Sequence, residues 1–361
     1  MRQGNALGLT AAGVTALACV LAVAFLVAPT TAASGDKREA DPLSTGSLGA
    51  QPAAGPVRDR VIEDARRVPL AAQAASSSGI WPDGDGHSVR VRVSPAYSNP
   101  DAVAQDLVSF LGTRLHGEEM NRLRVYIATP LEIRDLCGAG ALACYYPFEE
   151  EMVVSGEDAG PGEPPRELVI THEYGHHVAQ NRTNKPWSAL ARGTKRWSTH
   201  EGICRGIERG KIHPRNYFQN PGEAFAEAFA FYHYPDVIPW EWRIARPDQG
   251  SFDAIMADVT FPWSRRTSVD LSGALGPTDR RQVSRLETPL DGRMKVTLDG
   301  PDGTDFDLLL LAAGSGRLLK RSLDAGSQET LRYTVCGRRA VRIVVRAERG
   351  SGPFELTASR P

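Results

Sequence analysis

The chain has 361 residues, 24% of them charged and 41% hydrophobic, with a formal net charge of −1 at pH 7. That length allows two domains. The balanced charge, with no basic tract or aromatic-basic stripe, excludes the footprint of a nucleic-acid binder and gives no reason to expect an acidic partner.

The N-terminus carries one positive charge in its first five residues. Ala6 to Ala28 is almost wholly apolar and is uncharged, and small residues crowd Pro29 to Ser34. This predicts a secretory signal peptide over residues 1–33, cut near Ala32 or Ala33. The run is long enough to span a bilayer, so an uncleaved outward-facing anchor is the alternative; without it the mature chain has no membrane contact. Cys19 reads as a small apolar residue of that run. Residues 34–84 are rich in Ala, Gly, Pro, Ser and charge, and read as a disordered linker or short propeptide. Within them Arg58 to Arg67 is expected to form a short helix.

Residues 85–264 read as the first folded domain. Val89 to Val93 alternates like a half-buried strand, Ala102 to Leu115 carries helix-spaced Val103, Leu107, Phe110 and Leu111, and Leu123 to Ile127 reads as a second strand. Met152-Val153-Val154 reads as a third strand, at the sheet edge. Pro164-Pro165 is a start signal for a helix that contains His172-Glu173-Tyr174-Gly175-His176. Residues four apart on an α-helix lie about 40° apart around it and about 6 Å along it, so both imidazoles point one way. That spacing suits two nitrogen ligands of one Zn²⁺. Glu173 beside them is placed to take a proton from a water activated by the metal. Gly175 lets another segment approach closely. His177, rotated away, is expected in packing or in support of a ligand.

A catalytic zinc takes three protein ligands and keeps a fourth position for water. Asn220-Pro221-Gly222-Glu223-Ala224-Phe225-Ala226-Glu227 opens an apolar helix in which Glu223 and Glu227 share a face. Two carboxylates on such a helix are costly to bury without a metal or hydrogen-bond partners. Glu223 is assigned as the third ligand, and Glu227 as acceptor from the far N–H of a ligand histidine; the exchanged assignment stays open. Between the two helices, Trp187 and Trp197 are expected as core anchors. Tyr217 is favoured over His213 as the donor to a developing oxyanion.

After Trp263 the pattern changes to short apolar runs with turn signals. Met294–Leu298, Phe306–Leu311, Leu331–Val335, Val341–Val345 and Phe354–Thr357 read as strands of a β-sandwich over residues 265–361. Asp305 and Asp307 are read as solvated turn carboxylates rather than calcium ligands. Beyond Cys19 the chain has four cysteines, Cys137, Cys144, Cys204 and Cys336. An even number in an exported protein predicts two disulfides. Cys137–Cys144 would close a small Gly/Ala loop, and Cys204–Cys336 follows by elimination.

His172-Glu173-x-x-His176 followed by Gly222-Glu223-x-x-x-Glu227 resembles the gluzincin branch of zinc metallopeptidases, across two helices. Ala179 and Arg182 stand where a metzincin would have Gly and His. Glu227 stands where thermolysin-type members have Asp. Taken with Cys144-Tyr145-Tyr146-Pro147, the motifs also resemble uncharacterised secreted actinobacterial metallopeptidase-like proteins. Asp305-Phe306-Asp307-Leu308 and Gly350 to Leu356 resemble the bacterial pre-peptidase C-terminal domain. The resemblance implies an α+β zincin-like metallopeptidase domain followed by an all-β sandwich, with extended substrate adding a strand to the sheet edge. The expected activity is that of a secreted Zn²⁺-dependent metalloendopeptidase acting on a protein or peptide substrate. The alternative is a non-enzymatic wall-binding or adhesive protein with a structural or vestigial zinc site. Oligomeric state and cleavage preference stay open.

Overall fold

A computed structural model describes residues 37–48, 57–63, 77–235, 237 and 239–361. The signal peptide and anchor readings, and Cys19, lie outside these residues. Among the described residues no helix is long and apolar enough to cross a membrane.

The first half is a mixed α/β body. Strand β1 (Ser77–Pro82) forms an antiparallel hairpin with β2 (Ser88–Val93). Helix α1 (Pro100–Gly112) leads to β3 (Arg124–Ala128), which pairs parallel to β2. Helix α2 (Pro130–Cys137) starts on a capping box, in which the Thr129 hydroxyl accepts from the Glu132 amide and the Glu132 carboxylate accepts from the Thr129 amide. Strand β4 (Cys144–Tyr146) then runs antiparallel to β5 (Glu151–Ser155), and the sheet order is β1-β2-β3-β5-β4. The Met152–Val154 strand is therefore interior, not the edge. Met152, Val153 and Val154 are all buried, as an apolar run flanked on both sides requires. The edge is β4, three residues long and too short to announce itself in sequence.

Helix α3 (Arg166–Gln180) crosses this sheet and is buried from Arg166 to Ala179. Two short paired strands follow, β6 (Thr183–Asn184) and β7 (Trp187–Ser188), and then α4 (Ala189–Arg192), α5 (Lys195–His200) and α6 (Ile203–Glu208). Helix α7 (Pro221–His233) begins where Asn220 caps the chain, its side-chain oxygen accepting from the Gly222 amide at 2.9 Å, with Pro221 in the first turn. Trp197 is buried edge-on against Phe225, as a core anchor should be. Helix α8 (Gln249–Thr260) closes the body against α5 and α7.

The second half is two four-stranded antiparallel sheets. Its strands are β8 (Thr267–Leu275), β9 (Arg281–Thr288), β10 (Gly292–Asp299), β11 (Asp305–Ala312), β12 (Leu318–Ser322), β13 (Gln328–Val335), β14 (Arg339–Arg349) and β15 (Gly352–Arg360). One sheet runs β13-β10-β15-β8 and the other β12-β11-β14-β9. Met294, Val296 and Leu356 of the first meet Phe306, Leu308, Ile343 and Val345 of the second in one core, so the sheets form a sandwich. Asp307 is a buried strand residue rather than a turn carboxylate, paired with Arg346 at 2.5 Å, while Asp305 accepts from the Gly326 amide. Both expected disulfides are present: Cys137–Cys144 closes the loop after α2, and Cys204–Cys336 ties α6 to the end of β13.

Helices α3 and α7 touch through Gly175. A β-carbon there would sit 2.9 Å from the Ala226 α-carbon and 3.2 Å from its carbonyl oxygen. Gly175→Ala gains about 1 kcal/mol of helix propensity, but overpacking against backbone costs about 1–3 kcal/mol. The balance is a net loss of up to about 2 kcal/mol, read in urea unfolding.

Helix α7 also ends on a partly buried imidazole, His233. The Leu115 amide donates to His233 Nε2 at 3.1 Å, so that nitrogen must keep its lone pair. Burial, with the Arg114 charge, lowers the His233 pKa from 6.5 to about 3. Between those values the unfolded chain binds the extra proton and the folded chain does not, so stability falls as pH falls from 6.5 towards 3. Denaturant titrations across this range should show a shallower loss for His233→Gln than for the parent.

Candidate metal centre

The α3–α7 contact sets the geometry. His172 and His176 stand one turn apart on α3, with ring centroids 5.1 Å apart. Glu223 and Glu227 face them from the first two turns of α7. The His172 Nδ1–H donates to Glu227 Oε2 at 2.8 Å. This fixes the tautomer and turns the Nε2 lone pair of His172 towards Glu223 Oε2, 3.7 Å away. His176 Nε2 lies 3.2 Å from the same oxygen. The geometry separates the two glutamates: Glu223 meets both Nε2 atoms, and Glu227 braces the far nitrogen of His172.

A fourth residue joins them, unmarked in the sequence. Asp59 Oδ2 lies 3.0 Å from His176 Nε2 and 3.5 Å from His172 Nε2. One donor atom from each of Asp59, His172, His176 and Glu223 lies within 4.8 Å of the others, and all four residues are buried. Donors around a tetrahedral Zn²⁺ with bonds of about 2.0–2.1 Å stand about 3.3 Å apart. The four nitrogen–oxygen separations, 3.0, 3.2, 3.5 and 3.7 Å, fall on either side of that value. His172 Nε2 and Glu223 Oε2 are buried with no hydrogen-bond partner in the protein. Two imidazole nitrogens and carboxylate oxygens aimed at one point therefore fit a divalent cation.

Electrostatics point the same way. Burial opposes charging of His176, yet Glu223 and Asp59 raise its pKa to about 10. Burial likewise opposes charging of His172, and Asp59 and its glutamate partners hold its pKa well above the ordinary value. The carboxylates that raise both imidazoles are the groups that would draw a cation. Glu173 is fully buried with both oxygens unpartnered, and burial and then the Asp59 charge push its pKa well above the carboxylate range. Tyr217 is close by, its hydroxyl shared between Asp59 Oδ1 and the Val57 carbonyl at 2.8 Å each. His213 is exposed, and its backbone amide donates to Gln219. His177 is held by the Tyr145 hydroxyl at 3.0 Å and the Glu119 carbonyl at 2.8 Å, a packing role away from the cluster.

Asp59 falls in the span expected to be disordered, and Arg58 to Glu63 is extended rather than helical. The Arg60 carbonyl accepts from the Tyr145 amide at 3.1 Å, the Ile62 amide donates to the Tyr145 carbonyl at 2.9 Å, and Val61 bridges Tyr145 in parallel. The sequence signal was a period of two: Val57 and Asp59 point in, while Arg58 and Arg60 point out. Among the described residues a second group, Asp83, His87 and His116, meets near the β1–β2 turn. There Asp83 Oδ1 accepts the Asp85 and His87 amides and shapes the turn.

No protein-family model matches the chain, and no curated protein does. Among solved structures, the pre-peptidase C-terminal domain of collagenase from Bacillus anthracis is similar at 13% identity, covering 25% of this chain and 88% of that one, with a TM-score of 0.23. The Yersinia pseudotuberculosis-derived mitogen matches at 13% identity over 27% and 87% of the two chains, with a TM-score of 0.22. PliG of Aeromonas hydrophila, a periplasmic inhibitor of g-type lysozyme, matches at 13% identity over 26% and 86%, with a TM-score of 0.20. Likenesses this slight carry no conclusion about the site.

Zn²⁺ returned to chelator-treated protein is expected to raise the melting temperature, since an ion at a thousand times its Kd adds about 4 kcal/mol to the folded state. His176→Ala should abolish most of that rise in calorimetry.

Proposed function

We propose that the chain is a secreted zinc-dependent metallopeptidase whose body is a zincin-like domain of the gluzincin type. The observation that carries this is the convergence of His172 Nε2, His176 Nε2 and Glu223 Oε2 beside the unpartnered, buried Glu173. A purely structural metal site has no use for a free carboxylate held at its side. The two disulfides support an oxidising compartment.

His172, His176 and Glu223 would hold the ion. Bound there, Zn²⁺ supplies the Lewis acidity that brings a water towards ionisation at neutral pH. Glu173 accepts that water's proton as it attacks the peptide carbonyl, and returns it to the leaving amine. Glu227 keeps the His172 ring in one tautomer and orientation. Tyr217 would donate to the carbonyl oxygen as charge grows there. Extended substrate would pair with the β4 edge, the side of the sheet nearest the cluster.

Glu173→Gln is expected to keep its equivalent of zinc and to cleave casein about 10²–10⁴ times more slowly than the parent. Equal cleavage would remove the base role. Zinc binding without cleavage in every form of the parent, Asp59 variants included, would favour the non-enzymatic wall-binding reading.

A further inference from the structure

We infer that Asp59 is a fourth ligand of the metal, and that residues 57–63 hold the intact chain latent by filling its own catalytic cleft. This rests on the reading of His172, His176 and Glu223 as a zinc site, and it concerns how that site is regulated.

Three features that a substrate and a water need are occupied by this one short segment. The first is the metal position left for water. Asp59 Oδ2 stands 3.0 Å from His176 Nε2 and 3.5 Å from His172 Nε2, and its side chain has no exposed surface. A carboxylate there completes four protein donors, the closed arrangement of a structural site rather than the open one of a catalytic site.

The second is the sheet edge. The segment pairs with β4 through Arg60, Val61 and Ile62, and the Leu142 amide donates to the Arg58 carbonyl at 2.8 Å. These bonds use the backbone groups of Tyr145 that an added substrate strand would need.

The third is Tyr217. Its hydroxyl is held by Asp59 Oδ1 and the Val57 carbonyl, both in the same segment. Val57 is fully buried in the body core, and Ile62 packs beside Cys137 and Cys144. The segment is therefore anchored on both sides of Asp59, with no peptide bond of its own shown to be at the reacting position. Substrate can enter only after the segment leaves, so its departure is the activation step.

The test uses the full chain loaded with Co²⁺ in place of zinc, with acetohydroxamate as a small metal-binding probe read by visible absorption. His172→Ala supplies the background for cobalt held elsewhere. The parent should resist the probe. Asp59→Ala should bind it at least tenfold more tightly, and the near-isosteric Asp59→Asn should shift in the same direction by less. Both variants should also release cobalt to a chelator faster than the parent. Casein cleavage is followed alongside.

Equal probe affinity in the parent and both variants would overturn the inference whether or not casein is cut. Failure of the parent to take cobalt above the His172→Ala background would overturn it too. Tighter probe binding by the variants with no cleavage would uphold the blocked position while removing the peptidase reading.

Discussion

The organisation of the centre follows from one constraint: lone pairs buried face to face need a proton or a metal ion between them. Glu227 takes the proton-bearing nitrogen of His172, which leaves the other nitrogen of that ring aimed at carboxylate oxygens. Apart from protons or a metal, nothing in such a cluster relieves the repulsion. Around that requirement the body is arranged with little slack. Asn220 and Pro221 set where α7 begins, and hence where Glu223 falls. Gly175 sets how near α7 comes to α3.

What could be read from the chain divides by the range of the interaction. The two histidines, Glu173 and the glutamate pair were legible because helical periodicity is a local property, and charges stand out in apolar helices such as Leu168 to Ala179. The sandwich strands with strong apolar runs, from Met294 to Val345, were legible for a similar reason. Strands β8, β9 and β12 were not, because each carries only scattered apolar residues on one face. The short edge strand β4 is hidden by its length, so the sequence makes β5 read as the edge in its place.

Asp59 was illegible for a different reason. It sits among arginines in a stretch whose overall composition resembles a linker, and its partner His176 is 117 positions away. Composition averages over a window, whereas one buried carboxylate is decided by a tertiary contact that no window contains. The alternation of Val57, Asp59 and Val61 with Arg58 and Arg60 was the one local trace, and five residues are a weak trace against a Pro/Ala-rich background.

The Cys204–Cys336 bond joins a helix just upstream of the Glu223 helix to the end of an edge strand of the sandwich. The polypeptide passes between the two halves through Arg265 and Arg266, which are exposed basic residues outside any helix or strand. A trypsin-like cut there would leave two polypeptides that still migrate as one molecule until a reductant is added. Severing the backbone at this joint thus does not shed the sandwich, and the covalent unit outlives the continuity of its chain.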